Sequence, residues 1–320
     1  MSLYHRLKPA LCGLLALGLA ACSSPAPAAS SSEASSTSSK GSETALAEPL
    51  KVLCPQGAPA LATLGLEVDD ADVEYVEGQD LLVSELSKKE GDYDMIVAPI
   101  NLGVKTWKEA EAYQLEGVLT WGNLYVVSAD ETWNAPDMKI ALFGEGAVPG
   151  LVFDEVYPDL QATSEYYPSV AEASTALVSG KVDAALLAQP AAAGAVAKAK
   201  ENGTELKVQA DLQQLWQEKH ETSQKGYPQA ALFVKKDHAK DYQNAIDKMA
   251  DYLKTADEAK IEEDVDLLTP DKLGVPNAKL AAKTWAQQNI HFEKAADVEE
   301  DITKFLDVFG MKLPEGLLVK

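Results

Sequence analysis

Across 320 residues, 50 acidic side chains face 28 basic ones, and a formal charge of −22 at pH 7 makes nucleic acid an unsuitable partner. Hydrophobic residues make up 46% of the chain, enough for a packed core, and three cysteines are too few for a disulfide scaffold. Arg6 is the only arginine, so bidentate recognition of a carboxylate, sulfonate or phosphate has no guanidinium beyond the first few residues.

The N-terminus reads as an export signal. His5, Arg6 and Lys8 precede the apolar run "ALCGLLALGLAA", which is short for a membrane span and ends at Leu19, Ala20, Ala21 and Cys22. The tetrapeptide "LAAC" resembles the lipobox of bacterial lipoproteins, which implies that residues 1–21 are removed and that Cys22 carries the lipid. The following stretch, "SSPAPAASSSEASSTSSKGSETALAE", has little to bury, so 22–48 reads as a Ser/Ala-rich tether. Removing the leader takes away two of the 28 basic residues and no acid, which leaves 26 minus 50, or −24. Such a charge keeps the chain off an anionic membrane surface except through its lipid anchor. Cys54 is then the only cysteine of the folded part, and no internal disulfide is available.

From residue 49 one grammar occurs four times: an apolar run, a turn, and a proline where a helix begins. The runs are Lys51–Cys54 before Pro59, Met95–Ala98 before Pro99, Lys139–Phe143 before Pro149, and Asp183–Leu187 before Pro190. Proline is tolerated there because a first-turn N–H has no partner within the helix. Short apolar strands alternating with helical patterns predict parallel α/β construction. Two β-branched, aromatic segments, Glu116–Ser128 and Tyr227–Asp237, bracket the third and fourth units. They predict that the chain crosses from one lobe to a second and back, with 49–128 and 229–320 as lobe 1 and 129–228 as lobe 2. The tail from Asp237 is helical in texture.

Helix N-termini at strand ends present free N–H groups, and ligands gather there in open α/β sheets. The expected cleft lining is therefore Gln56, Gly57, Ala58 and Pro59; Pro99, Ile100, Asn101 and Leu102; Gly144, Gly146, Ala147 and Val148; and Gln189 with Pro190. The carrying stretches "LKVLCPQGAPALATL", "YDMIVAPINLGVKTW", "LTWGNLYVVS", "KIALFGEGAVPGLVFDEVY", "VSGKVDAALLAQPAAAGA" and "YPQAALFVKKD" resemble the substrate-binding proteins of bacterial ABC importers. The likeness is to the nitrate-, sulfonate-, taurine- and thiamine-precursor branch, and it spans 49–320 in order. It implies a two-lobed type II periplasmic-binding-protein fold, each lobe a mostly parallel sheet flanked by helices, with two crossover strands as hinge. It further implies a monomer outside the cytoplasm that hands a small solute to an ABC permease powered by a separate ATPase. Carried over, the hinge falls on Thr120–Tyr125 and Tyr227–Ala230, with Trp121, Asn123 and Tyr227 expected near the ligand, although Trp121 reads equally as a core tryptophan at a lobe boundary. The missing arginine departs from members that take sulfonates and favours a neutral or cationic ligand.

Other chemistries find little footing. No G-x-S-x-G, H-E-x-x-H or C-x-x-C occurs, so no metal, cofactor or catalytic residue is expected. Cys54, at the end of an apolar strand, reads as a buried small hydrophobe. His220, His238 and His291 lie apart from one another, and the acidic runs Glu67–Asp72 and Ile261–Asp266 read as solvated faces. Tyr166 and Tyr167 read as a solvent-side turn before Pro168. Gly144, Gly146 and Gly150 approach the dinucleotide fingerprint, but at G-x-G-x-x-x-G spacing and in mid-chain. The alternatives that remain are an enzyme on the same scaffold, of the thiamine-pyrimidine-synthesis kind, and a ligand-sensing surface lipoprotein.

Overall fold

The computed structural model describes residues 48–66 and 70–320. The export signal, Cys22, the tether up to residue 47, and residues 67–69 of the first acidic run lie outside the described residues.

The chain begins β1 (Leu50–Pro55), α1 (Ala58–Ala62), β2 (Ala71–Val76), α2 (Asp80–Leu86), β3 (Met95–Pro99), α3 (Ile100–Ala110) and β4 (Tyr113–Thr120). It continues with β5 (Leu124–Ser128), β6 (Lys139–Phe143), α4 (Val148–Val156), β7 (Thr163–Tyr167), α5 (Val170–Val178), β8 (Ala184–Ala188), α6 (Ala191–Glu201), β9 (Lys207–Asp211) and α7 (Leu212–His220). It returns through β10 (Ala230–Lys235), α8 (Gln243–Thr255), α9 (Glu258–Leu268), α10 (Pro270–Leu273), α11 (Ala278–Lys283), α12 (Trp285–Gln288), β11 (Ile290–Lys294) and α13 (Glu299–Val308).

Two mixed α/β sheets result. The first runs β11-β4-β10-β3-β1-β2 and the second β7-β6-β8-β5-β9. The four strands read from the sequence are β1, β3, β6 and β8. Around them β1 pairs parallel with β2 and β3, and β6 pairs parallel with β7 and β8. Strands β10 and β11 join the first sheet antiparallel, and β5 and β9 join the second antiparallel. Val52, Leu53 and Cys54 of β1 are wholly buried in succession, as a strand covered on both faces requires.

Several elements fall differently from the sequence reading. The segment Glu116–Ser128 is broken at Trp121–Asn123, and β5 belongs to the second sheet, so the change of sheet precedes the boundary placed after Ser128. Tyr166 and Tyr167 are half-buried in the edge strand β7, not in a turn. The C-terminal region is not wholly helical, since β11 extends the first sheet beside β4. Asp264 in the second acidic run is buried, where it accepts from Tyr252 Oη at 2.7 Å and from Lys260 Nζ at 2.7 Å.

The core explains how the lobes are joined. One cluster of buried side chains runs through both sheets: Leu53 and Ile96 from the first, Val126 and Leu186 from the second, and Trp121, Tyr227 and Phe305 between them. The opposite faces are separate. Leu61, Ile246 and Ala281 sit in a cluster confined to lobe 1, and Ala173, Leu187 and Ala195 in one confined to lobe 2. The apolar core is thus welded across the lobes on one face and divided between them on the other.

Candidate functional site

On the unwelded side lies a cavity of about 660 Å³ lined from both lobes. Lobe 1 contributes the β1–α1 turn (Pro55, Gln56, Gly57, Ala58, Pro59), Glu77 after β2, and Pro99. The segment around α10 adds Asp271 and Gly274–Pro276, while Gln229 and Ala230 come from the returning strand. Lobe 2 contributes Val170 and Ala171 at the start of α5, and Ala188, Gln189, Pro190 and Ala191 at the β8–α6 turn. Asn123 of the crossover completes the wall.

Local geometry holds these loops in place. Gly57 donates its N–H to Leu273 O at 2.8 Å, and Gln56 Nε2 donates to Lys272 O at 3.3 Å, tying the β1–α1 turn to α10. Ser169 caps α5 by accepting from Glu172 N at 3.2 Å, the S-x-x-E arrangement of a helix start. Asn123 and Gln189 are tied reciprocally. Asn123 Nδ2 donates to Gln189 O at 2.9 Å, and Gln189 N donates to Asn123 O at 3.0 Å. Both side chains are more than nine-tenths buried.

The structure therefore brings Gln56, Gly57, Ala58, Pro59, Pro99, Asn123, Gln189 and Pro190 together in the lining of one cavity. Asn101, Leu102, Gly144, Gly146 and Ala147 are not part of it. The reason is which face of its sheet each helix covers. Helices α3 and α4 put Ile100, Leu102, Val148 and Phe153 into the shared core, while α1 and α6 put Leu61 and Ala195 into the clusters of the open faces. The face a helix covers changes where the winding of its sheet reverses, which puts α2 and α3 on the shared-core face and α5 and α6 on the open one, so four equivalent strand ends do not converge on one point. Gly144, at φ 72°, is held within its own turn, where an added Cβ would lie 2.9 Å from Pro149 Cδ. Asn101 is half-buried, and its Oδ1 has no partner among the described residues.

Trp121 and Tyr227 are not on the wall either; both are fully buried in the shared core. Trp121 donates Nε1–H to His291 O at 3.2 Å and stacks on the His291 ring at 5.3 Å. Burial lowers the His291 pKa to about 4, which leaves the ring neutral at pH 7. Tyr227 stacks on Phe305 of α13 at 5.9 Å and packs against Trp216 at 5.4 Å. Its hydroxyl has no partner among the described residues, and burial pushes its pKa well up. Helix α13 is fastened to the return crossover by Asp301, which accepts from Ser223 N, Ser223 Oγ and Gln224 N at 2.7–3.1 Å.

The sequence reading missed Pro55, Glu77, Val170, Ala171, Ala188, Ala191, Asp271 and Gly274–Pro276, and placed Gln229 only in the hinge. Ser169 with Glu172 was the available signal for Val170 and Ala171, because a capping pair marks free amides just inside it. Glu77, Asp271 and Gly274–Pro276 depend on tertiary placement and leave no local trace.

Among the described residues, no cluster of His, Cys, Asp and Glu is arranged to hold a metal. Cys54 is buried and free, with burial raising its thiol pKa. No described helix is long and apolar enough to cross a membrane.

Two α/β lobes joined by two crossovers, with a cavity between them lined by helix starts, define the type II periplasmic-binding-protein fold. Solved structures of similar shape include components of ABC transport systems. An ABC transporter structure from Parabacteroides distasonis superposes at TM-score 0.70 with 21% identity, covering 85% of this chain and 99% of that one. The periplasmic aliphatic sulphonate binding protein SsuA from Escherichia coli gives 0.56 at 15% identity, over 82% and 92%. The ligand-binding component of an ABC-type import system from Staphylococcus aureus, with zinc bound, gives 0.55 at 13%, over 85% and 96%. No family model and no curated protein matches the sequence.

Proposed function

We propose that the chain is a non-catalytic lipoprotein, anchored outside the cytoplasm through Cys22, that captures a small solute between its lobes. It then delivers that solute to an ABC permease driven by a separate ATPase. The observation that carries this reading is the cavity of about 660 Å³ at the crossovers, lined from both lobes by small residues and helix starts. Its volume lies in the range of small-molecule sites. The lobes are continuous on one face only, so closure by bending at Trp121–Asn123 and 221–229 shuts the open face around a ligand. The fold shared with importer components supports the transport role, and the cysteine after "LAA" supports the anchor.

Two measurements test it. Small-angle scattering of the purified chain is expected to show contraction on adding a solute that raises its melting temperature. Unchanged scattering with a tightly bound solute would remove the closing mechanism. In cells, Cys22→Ser is expected to release the chain from the membrane fraction, and continued retention would remove the anchor.

A further inference from the structure

The two walls of the cavity have opposite polarity. On lobe 1 the charged lining groups are Glu77 and Asp271, both exposed, and neither is in an ion pair among the described residues. The neighbouring Lys272 ammonium is held 5.4 Å over the Tyr75 ring and is not on the wall. The cavity therefore has carboxylates and no basic side chain.

Lobe 2 presents the reverse. It adds no charged side chain to the wall, but α5 and α6, of 9 and 11 residues, both begin there. The amides of Val170 and Ala171, and those of Ala191 and Ala192, have no partner among the described residues, whereas Glu172 N and Ala193 N are capped. Gln189 adds an independent donor. Its Oε1 accepts from Ala193 N at 3.2 Å, which fixes the amide orientation and leaves Nε2 unpartnered in a side chain only 7% exposed. Asn123, 4% exposed, is fixed the other way: Nδ2 is spent on Gln189 O, and Oδ1 is left as an unpartnered acceptor on the cavity wall.

On the reading that this cavity binds a solute, we propose that the solute is a small zwitterion bearing a carboxylate and an ammonium or other N–H-bearing cationic end. The carboxylate lies against Gln189 Nε2 and the free amides of α5 and α6, where the helix dipoles favour negative charge. The cationic end lies toward Asn123 Oδ1, Glu77 and Asp271. A plain anion meets two carboxylates with no compensating cation. A plain amine leaves Gln189 Nε2 and the helix amides unpaired once closure excludes water, and unpaired polar groups are what a site discriminates against most strongly.

Calorimetric titration of the purified chain tests this with three sets of probes. The zwitterions are the uncharged-side-chain α-amino acids, β-alanine and γ-aminobutyrate; the anions are butyrate and methanesulfonate; the cations are n-butylamine and ethanolamine. At least one zwitterion is expected to bind, with the anions and cations at least tenfold weaker. Gln189→Glu keeps the acceptor for Ala193 N–H and replaces the donor facing the cavity by a carboxylate. It is expected to weaken the bound zwitterion at least tenfold while leaving the melting temperature unchanged. Neutralising the other wall, with Glu77→Gln and Asp271→Asn together, is expected to weaken it at least threefold. Tighter binding of an anion or a cation than of any zwitterion overturns the proposal, as does a zwitterion whose affinity neither variant lowers. If no probe binds, mass spectrometry of solute released from freshly purified protein decides. A released zwitterion supports the proposal, and a released plain anion or cation overturns it while leaving solute capture intact. Release of nothing overturns solute capture itself.

Discussion

The two crossovers separate two regions built from the same few residues. On one side Trp121 and Tyr227 enter a dry aromatic layer with Trp216, His291 and Phe305; on the other, Asn123 and Gln229 face the cavity. The aromatic layer is closely packed. An added Cβ at Gly226, where φ is 99°, would stand 1.9 Å from Trp121 O, and one at Gly122 would strike the Tyr227 ring. The cavity wall is built of small side chains and spare hydrogen-bonding groups. The proposed function assigns recognition to the second region, while the packing concentrates stability in the first, so substitutions are expected to separate them.

The largest effects belong in the aromatic layer. Trp121→Ala and Phe305→Ala each remove a fully buried ring, and each is expected to cost about 3–5 kcal/mol in urea unfolding. Gln229→Ala, on the cavity wall, is expected to change stability by less than about 0.5 kcal/mol. Comparable losses at the two places would mean that the division is not real.

Asp301 comes next. Its buried carboxylate accepts three hydrogen bonds from the return crossover, so Asp301→Ala leaves those donors unpaired and is expected to cost about 2–3 kcal/mol. The loss tests whether α13 is part of the hinge or only packed against it. Wild-type unfolding with the α13 signal lost first would favour the second.

How much of this was legible in the sequence follows from the same division. Strands β1, β3, β6 and β8 announced themselves because a buried strand ending in a turn and a proline is a local pattern. The edge strands β2, β7 and β9 did not, since their polar residues face water and their pairing is tertiary. Of the site, Gln56–Pro59, Pro99, Asn123, Gln189 and Pro190 were recoverable as strand ends and crossover. Asn101 and Gly144–Ala147 fit the same local pattern and were placed in the cleft, because the face a helix covers is set by chain winding and not by its own residues. Trp121 in "TWGN" has polar neighbours, yet its ring turns inward onto His291.

A smaller effect is expected from pH. The folded pKa of His291 is lowered by burial to about 4, below the usual value of 6.5, and its ring faces Trp121 and Gln224 Oε1 with no ion pair to a carboxylate among the described residues. A histidine kept neutral on folding contributes stability that is complete above about pH 6.5 and is lost as pH falls toward 4, because the unfolded chain takes up the proton first. His291→Phe keeps a ring on Trp121 and removes the titration. Its melting temperature is therefore expected to fall less than that of the wild type between pH 7 and 4.5. Equal slopes would place the acid sensitivity among the carboxylates instead.

The smallest effects come from two of the orphaned oxygens, Tyr227 Oη and Asn101 Oδ1, and they distinguish the regions most sharply. Tyr227 Oη is buried in the aromatic layer without a partner, so Tyr227→Phe discards a desolvated hydroxyl and is expected to be neutral or to stabilise by about 1 kcal/mol. It should leave solute affinity unchanged, because that ring touches Trp216 and Phe305 and is not on the cavity wall. Asn101 Oδ1 is equally without a partner but sits at the start of α3, next to Pro99 of the wall. Asn101→Ala is likewise expected to shift stability by no more than about 1 kcal/mol. Affinity is what separates them. If Asn101→Ala weakens solute binding while Tyr227→Phe does not, the Asn101 oxygen finds its partner on lobe closure and the β3–α3 turn joins the site. If neither changes affinity, α3 belongs wholly to the welded face, and recognition is confined to the turns whose helices cover the open one.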